Sequence, residues 1–117
     1  MPRREQGEPY YRLSLDEAGE MYEGGESVVI DVRRDDEYEA GHIKGAVFIP
    51  VDDVLARIDE LPDDKNLLFI CAQGVRSGLA CEMAAAMGFD TEKLFNIEDG
   101  TEAWIEHGLP ASYGSDE

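Results

Sequence analysis

The chain has 117 residues, 43% of them hydrophobic, which is enough for one packed core and too apolar for a disordered composition. Its formal net charge is −17, from 27 acidic and 10 basic residues, and Lys44, Lys65 and Lys93 are its only lysines. This balance argues against nucleic acid as a partner, because phosphate binding needs clustered Lys and Arg. It leaves two readings of the surface, adaptation to high salt and ordinary solubility.

The N-terminal stretch from Met1 to Tyr10 is polar, and no apolar run follows Arg3 and Arg4. No signal peptide or membrane span is read there or elsewhere, so the expected location is the cytoplasm. Tyr10 to Leu13 reads as a short strand. Ser14-Leu-Asp-Glu17 is a capping box opening a helix through about Tyr22, and Gly24-Gly25 ends it. Val28 to Val32 is a buried-strand run. Asp35 to Ala40 fits one short helical turn before Gly41. Ala46 to Ile49 is a further strand, stopped by Pro50. Val51, Val54, Leu55, Ile58 and Leu61 stand at helical spacing, and Pro62-Asp63-Asp64 breaks that helix. Asn66 to Cys71 has the continuous apolar character of a central parallel strand covered on both faces. A glycine-containing turn precedes a helix from about Ser77 to Met87, with Gly88 as its stop. Leu94 to Ile97 is the last strand, Thr101 to Glu106 the last helix, closed by Gly108 and Pro110. Ser112 to Glu117 reads as a frayed tail. The alternation predicts an α/β domain built on a parallel sheet, one domain over residues 1–117 with its core at about 10–111 and flexible ends.

Two cysteines, Cys71 and Cys81, are too few for a disulfide framework in a cytosolic protein. His42 and His107 are isolated, and no CxxC or HxxxH spacing occurs, so no metal site is expected. Cys71 lies between the central strand and a helix, in Cys71-Ala72-Gln73-Gly74-Val75-Arg76-Ser77. A tight loop there turns backbone N–H groups inward as an anion nest, and the helix adds its own unpaired N–H groups. Arg76 adds a full charge. Such settings lower a cysteine pKa to ~3.5–7.5. Cys81 is mid-helix among apolar neighbours and reads as a small buried hydrophobe.

An ordered set of motifs runs along the chain. It comprises Asp31-Val-Arg33, Glu37-Tyr38, Gly41-His-Ile-Lys-Gly-Ala46, Ile49-Pro50, Cys71 to Ser77, and Ala103-Trp104 with Gly108-Leu-Pro110. The set resembles single-domain rhodanese-like sulfurtransferases over about residues 10 to 111. The resemblance implies a five-stranded, mostly parallel sheet with helices on both faces. It implies that Cys71 is the sulfur-accepting nucleophile, and that the loop from Ala72 to Arg76, with Ser77, binds the transferred sulfur. Two positions depart from the family's pattern. Phe48 stands where Asn is frequent before Ile-Pro, and Asp99-Gly100 replaces two glycines before the last helix. The second falls in a loop resembling a wall of the active-site pocket, where it bears on donor and acceptor preference.

The implied chemistry is a persulfide relay between a small sulfur donor such as thiosulfate and a thiol, protein thiol or cyanide acceptor, with no cofactor and no separate general base. Arg76 either holds an anionic donor or fixes the loop; the bland alternative is pairing with a surface carboxylate. Asp31, Arg33, Glu37 and His42 read as structural groups that satisfy buried polar partners, and Trp104 as core. Two rival readings remain. Phosphatases or arsenate reductases of similar fold place Arg six positions after the cysteine, against five from Cys71 to Arg76. A sulfur-relay or partner-binding module would use the same loop without free turnover.

Overall fold

In the computed structural model, which describes residues 2–115, the capping box at Ser14 is complete: Glu17 N–H donates to Ser14 Oγ at 3.2 Å, and Ser14 N–H to Glu17 Oε1 at 2.9 Å. Two orphan donors of the first turn are thereby satisfied, and the helix starts where the sequence places it. The described elements are β1 (Tyr11–Leu13), α1 (Leu15–Glu23), β2 (Ser27–Asp31), α2 (Asp35–Ala40), β3 (His42–Ile43), β4 (Val47–Phe48), β5 (Asn66–Ile70), α3 (Val75–Ala86), β6 (Leu94–Ile97), α4 (Gly100–Glu106) and β7 (Ala111–Ser112). Five strands form one sheet in the order β1-β6-β5-β2-β4, and all its neighbouring pairs are parallel.

The central strand β5 is covered on both faces, which its unbroken apolar run requires. The period of two sends Leu67 and Phe69 toward Ala80, Cys81 and Ala84 of α3, and Leu68 and Ile70 toward Ala18 of α1 and Trp104 of α4. Helices therefore pack on both faces, and the core is two apolar layers split by the sheet. Trp104 is fully buried, donates its indole N–H to Pro110 O at 2.8 Å, and meets Tyr22 edge-on at 5.3 Å between ring centroids. It is a core residue.

One expected element is different. Residues 51–61 form two short 3-10 turns, Val51–Asp53 and Ile58–Glu60, instead of one helix. Bonds from Val54 N to Val51 O and from Leu61 N to Ile58 O close the tighter turns. Val51, Val54, Ile58 and Leu61 point inward while Leu55 is exposed, a 3-4-3 spacing that an α-helix would also satisfy, so spacing alone does not separate the two. The β-branched Val51, Val54 and Ile58 weaken an α-helix. A second difference is the two-residue ladder of β3 with β7, which pairs His42 with Ser112. Ser112, read from the sequence as the start of a frayed tail, is thus tied to the body; Asp116 and Glu117 lie outside the described residues. Among the described residues no helix is long and apolar enough to cross a membrane.

Candidate active site

Cys71 follows β5 directly and continues the alternation of Leu67 and Phe69, so its side chain faces α3. Its sulfur stands at the carboxyl end of the central strand, where open parallel sheets hold ligands. The chain then turns sharply. Gly74 has φ +88°, a left-handed conformation that glycine adopts without strain, and a Cβ there would come within 3.1 Å of Glu98 O. Because Gly74 turns the chain at once, α3 begins at Val75, two residues before the expected Ser77, and brings Arg76 and Ser77 into its first turn.

The turn converges on the sulfur. Gly74 N–H donates to Cys71 Sγ at 3.1 Å and Ser77 N–H at 3.4 Å, and Ser77 Oγ stands 3.3 Å away. Gln73 contributes its backbone N–H as well. Burial is the largest single influence on the Cys71 thiol and pushes it up. The hydroxyl of Ser77 and the N–H groups of Ser77, Gln73 and Gly74 together outweigh burial, and the thiol is held below its ordinary value. Cys81 shows the opposite balance: its S–H donates to Phe95 O at 3.5 Å, and burial drives its thiol well above the ordinary value.

The loop residues named from the sequence divide into two groups. Gln73, Gly74 and Ser77 surround the sulfur. Ala72 and Val75 do not present side chains to it; Val75 is 77% exposed. Arg76 turns away too. Its Nη1 and Nη2 donate to Glu37 Oε1 and Oε2 at 2.7 and 2.9 Å, a bidentate pair that ties the first turn of α3 to α2. This is the carboxylate pairing among the alternatives for Arg76, and both terminal nitrogens are engaged by it. Arg76 also holds the Glu37 carboxyl down to about 2.

The remaining polar candidates serve the frame. Buried Asp31 receives Arg33 Nη2 at 2.8 Å and Nε at 3.0 Å, and Arg33 Nη2 also donates to Gly41 O at 2.7 Å. His42 Nδ1 lies 2.8 Å from Tyr38 O, with its ring stacked 3.6 Å from that of Tyr38. Phe48 stacks on the other neighbour of this group, 4.4 Å from Tyr38, so the departure there adds an aromatic to the frame.

A family model described as the rhodanese-like domain matches residues 14–107. The chain belongs to that family. Among relatives, it is 31% identical over 83 residues to a protein of Allochromatium vinosum named sulfurtransferase, which covers 71% of this chain and 76% of that one. It is 33% identical over 111 residues to the HTH-type transcriptional regulator Rv0324 of Mycobacterium tuberculosis, covering 93% of this chain; the match spans about half, 48%, of that regulator. The crystal structure of a rhodanese-related protein from Thermoplasma volcanium superposes with a TM-score of 0.76 at 29% identity, over 86% of this chain and 96% of that one. Of these names, that of the Allochromatium vinosum relative states sulfur transfer.

The rhodanese-like fold brings in two residues that sequence reading passed over, Asn96 and Thr101, and places Gly100 against the loop. Asn96 on β6 is 3% exposed; it accepts the Ser77 hydroxyl at 2.6 Å and donates Nδ2–H to Gly74 O at 3.0 Å. Its signal in the sequence is one polar residue inside Leu94-Phe-Asn-Ile97. Gly100 has φ +86°, and Thr101 N–H donates to Cys71 O at 3.1 Å, which docks the start of α4 onto the cysteine's own carbonyl. The Thr101 hydroxyl is buried with no hydrogen-bond partner. Thr101 lines a cavity of about 340 Å³ with Arg33, Glu37, Ala72 and Glu102, directly beside the loop. Nothing in the sequence separates Thr101 from an ordinary helix-start residue.

Proposed function

We propose that this rhodanese-like domain is a sulfurtransferase in which Cys71 carries the sulfur as a persulfide. The observation that carries the reading is the convergence of the Gly74 and Ser77 N–H groups and the Ser77 hydroxyl on Cys71 Sγ, with the thiol held below its ordinary value. In the first half-reaction the Cys71 thiolate bonds to the outer sulfur of thiosulfate. The sulfur–sulfur bond of the donor breaks, and sulfite leaves with the electron pair. In the second, an acceptor thiolate or cyanide bonds to the outer sulfur of the persulfide, and the pair returns to Cys71 Sγ. A low thiol pKa serves both halves, since it supplies the thiolate and makes Cys71 the better leaving group.

Cys71 is 1% exposed, beneath a loop whose Ala72, Gln73 and Val75 are exposed. The test is persulfide mapping by peptide mass spectrometry after thiosulfate treatment, with turnover measured alongside. Cys71→Ser loses both label and activity, and Cys81→Ser keeps both. A labelled, active Cys71→Ser variant rejects the reading. Aryl-phosphate hydrolysis by the wild type, dependent on Cys71, replaces it with a phosphatase.

A further inference from the structure

The Ser77 hydroxyl has one proton and two neighbours that want it. Asn96 is held in one orientation, because its Nδ2–H donates to Gly74 O at 3.0 Å; the acceptor Oδ1 therefore faces Ser77 Oγ at 2.6 Å. A carbonyl-type oxygen only accepts, so Ser77 O–H points at Asn96. The lone pairs of Ser77 Oγ are then left for Cys71, 3.3 Å away, whose S–H is the donor in that contact. When the sulfur becomes a thiolate there is no S–H, and two acceptors face each other unless the Ser77 hydroxyl turns.

We propose that Ser77 is a two-position donor, resting on Asn96 Oδ1 while the Cys71 sulfur is neutral and turning to the sulfur when it is charged, with Asn96 the positioning residue that holds the alternative place. Asn96 is 3% exposed, at the floor of a pocket also lined by Tyr10, Gln73 and Gly78, so its hydrogen bond to Ser77 is largely shielded from water. On discharge of a persulfide the acceptor's sulfur bonds to the outer sulfur, the S–S bond breaks, and its electron pair passes to Cys71 Sγ. No proton changes owner; the Ser77 O–H bond rotates from Asn96 to the new thiolate. Arg76 in the first turn of α3 and Cys81 further along it interact electrostatically with Cys71, and the hydrogen bonds on the sulfur come from neither. The discharge step rests on the persulfide reading above; the donor switch itself concerns the free thiol.

The experiment follows the Cys71 thiolate by its ultraviolet absorbance against pH in a Cys81→Ala background. Ser77→Ala raises the pKa, lowering the thiolate ratio roughly three- to tenfold. Asn96→Ala lowers the pKa, because the hydroxyl has lost its other acceptor. In a Ser77→Ala background the same Asn96→Ala change leaves the pKa where it was. A rise on Asn96→Ala alone, or an equal shift in both backgrounds, overturns the proposal in favour of a merely structural asparagine. Asn96→Val, similar in volume and suited to a strand, replaces Asn96→Ala if that variant does not fold. The S–H infrared band of the Cys81→Ala protein at low pH gives a reading with residues 77 and 96 intact: it is hydrogen-bonded, and a free S–H band also overturns the proposal. A thiol that titrates this way but takes up no sulfur removes the assigned activity and leaves the switch standing.

Discussion

Gly100 lies against Ala72 so closely that a Cβ at position 100 would stand 1.9 Å from the Ala72 carbonyl oxygen. The same glycine has φ +86°, so an L side chain is excluded by backbone conformation as well as by space. Gly100→Ala should displace the start of α4 from the loop, lower Tm and abolish persulfide formation; the backbone strain alone is about 1–3 kcal/mol. Asp99 has φ −74°, which any residue adopts. Asp99→Gly, which restores the family's glycine pair, should therefore change stability by no more than about 1 kcal/mol. Thermal melts of the two variants check this, and a harmless Gly100→Ala would contradict it.

The Arg76–Glu37 pair makes an acid-side stability prediction. The Glu37 carboxyl is lowered from 4.5 to about 2 in the folded protein, chiefly by its hydrogen bonds from Arg76. A depressed folded pKa stabilises fully above the unfolded value and is lost as pH falls through the folded one. The pair should thus contribute about 1–3 kcal/mol above pH 4.5 and lose it as pH falls toward 2. Glu37→Gln should be less stable than the wild type near pH 6 and show a shallower loss toward pH 2. Glu8 titrates in the same range, held down by Arg12, so the wild-type-minus-variant difference is the quantity to read. Parallel melting curves for the two proteins would sink the assignment.

Thr101 offers a contrast between stability and binding. Its hydroxyl is buried without a partner, so Thr101→Val removes an unsatisfied group at little change in shape. Tm should stay level or rise. If the cavity beside Ala72 receives the donor, the same change raises KM for thiosulfate roughly fivefold, for one lost hydrogen bond, with kcat little altered. An unchanged KM places the donor elsewhere.

The net charge of −17 should repel an anionic donor at low ionic strength. The Debye length falls from ~10 Å at 0.1 M salt to ~3 Å at 1 M, so long-range repulsion fades across that range. Thiosulfate kcat/KM should rise with an inert salt while the fold is unchanged. A flat or falling profile shows that surface charge does not govern access.

Much of this protein is decided by short-range pattern. The Ser14–Glu17 capping box, the buried run of β5, the Leu94–Ile97 strand and the placement of Cys71 at a strand end are all legible as spacing, because local hydrogen bonding and the strand and helix periods act over a few residues. The motif order from Asp31 to Pro110 points to the rhodanese-like family for the same reason. Residues 51–61 mark the limit of such reading: one apolar spacing suits an α-helix or two 3-10 turns, and the fit of Val54 and Leu61 into the core made the choice. Pattern named Gln73, Gly74 and Ser77, which surround the sulfur, but not the distant groups that hold this loop in place. Asn96 reaches Ser77 from β6, nineteen residues along the chain, and Thr101 meets Cys71 O thirty residues on. Arg76 turns to a carboxylate thirty-nine residues earlier. A sequence states which residues carry a charge or a hydroxyl, but which of two partners holds that group depends on distance and direction, and these exist only once the sheet has closed.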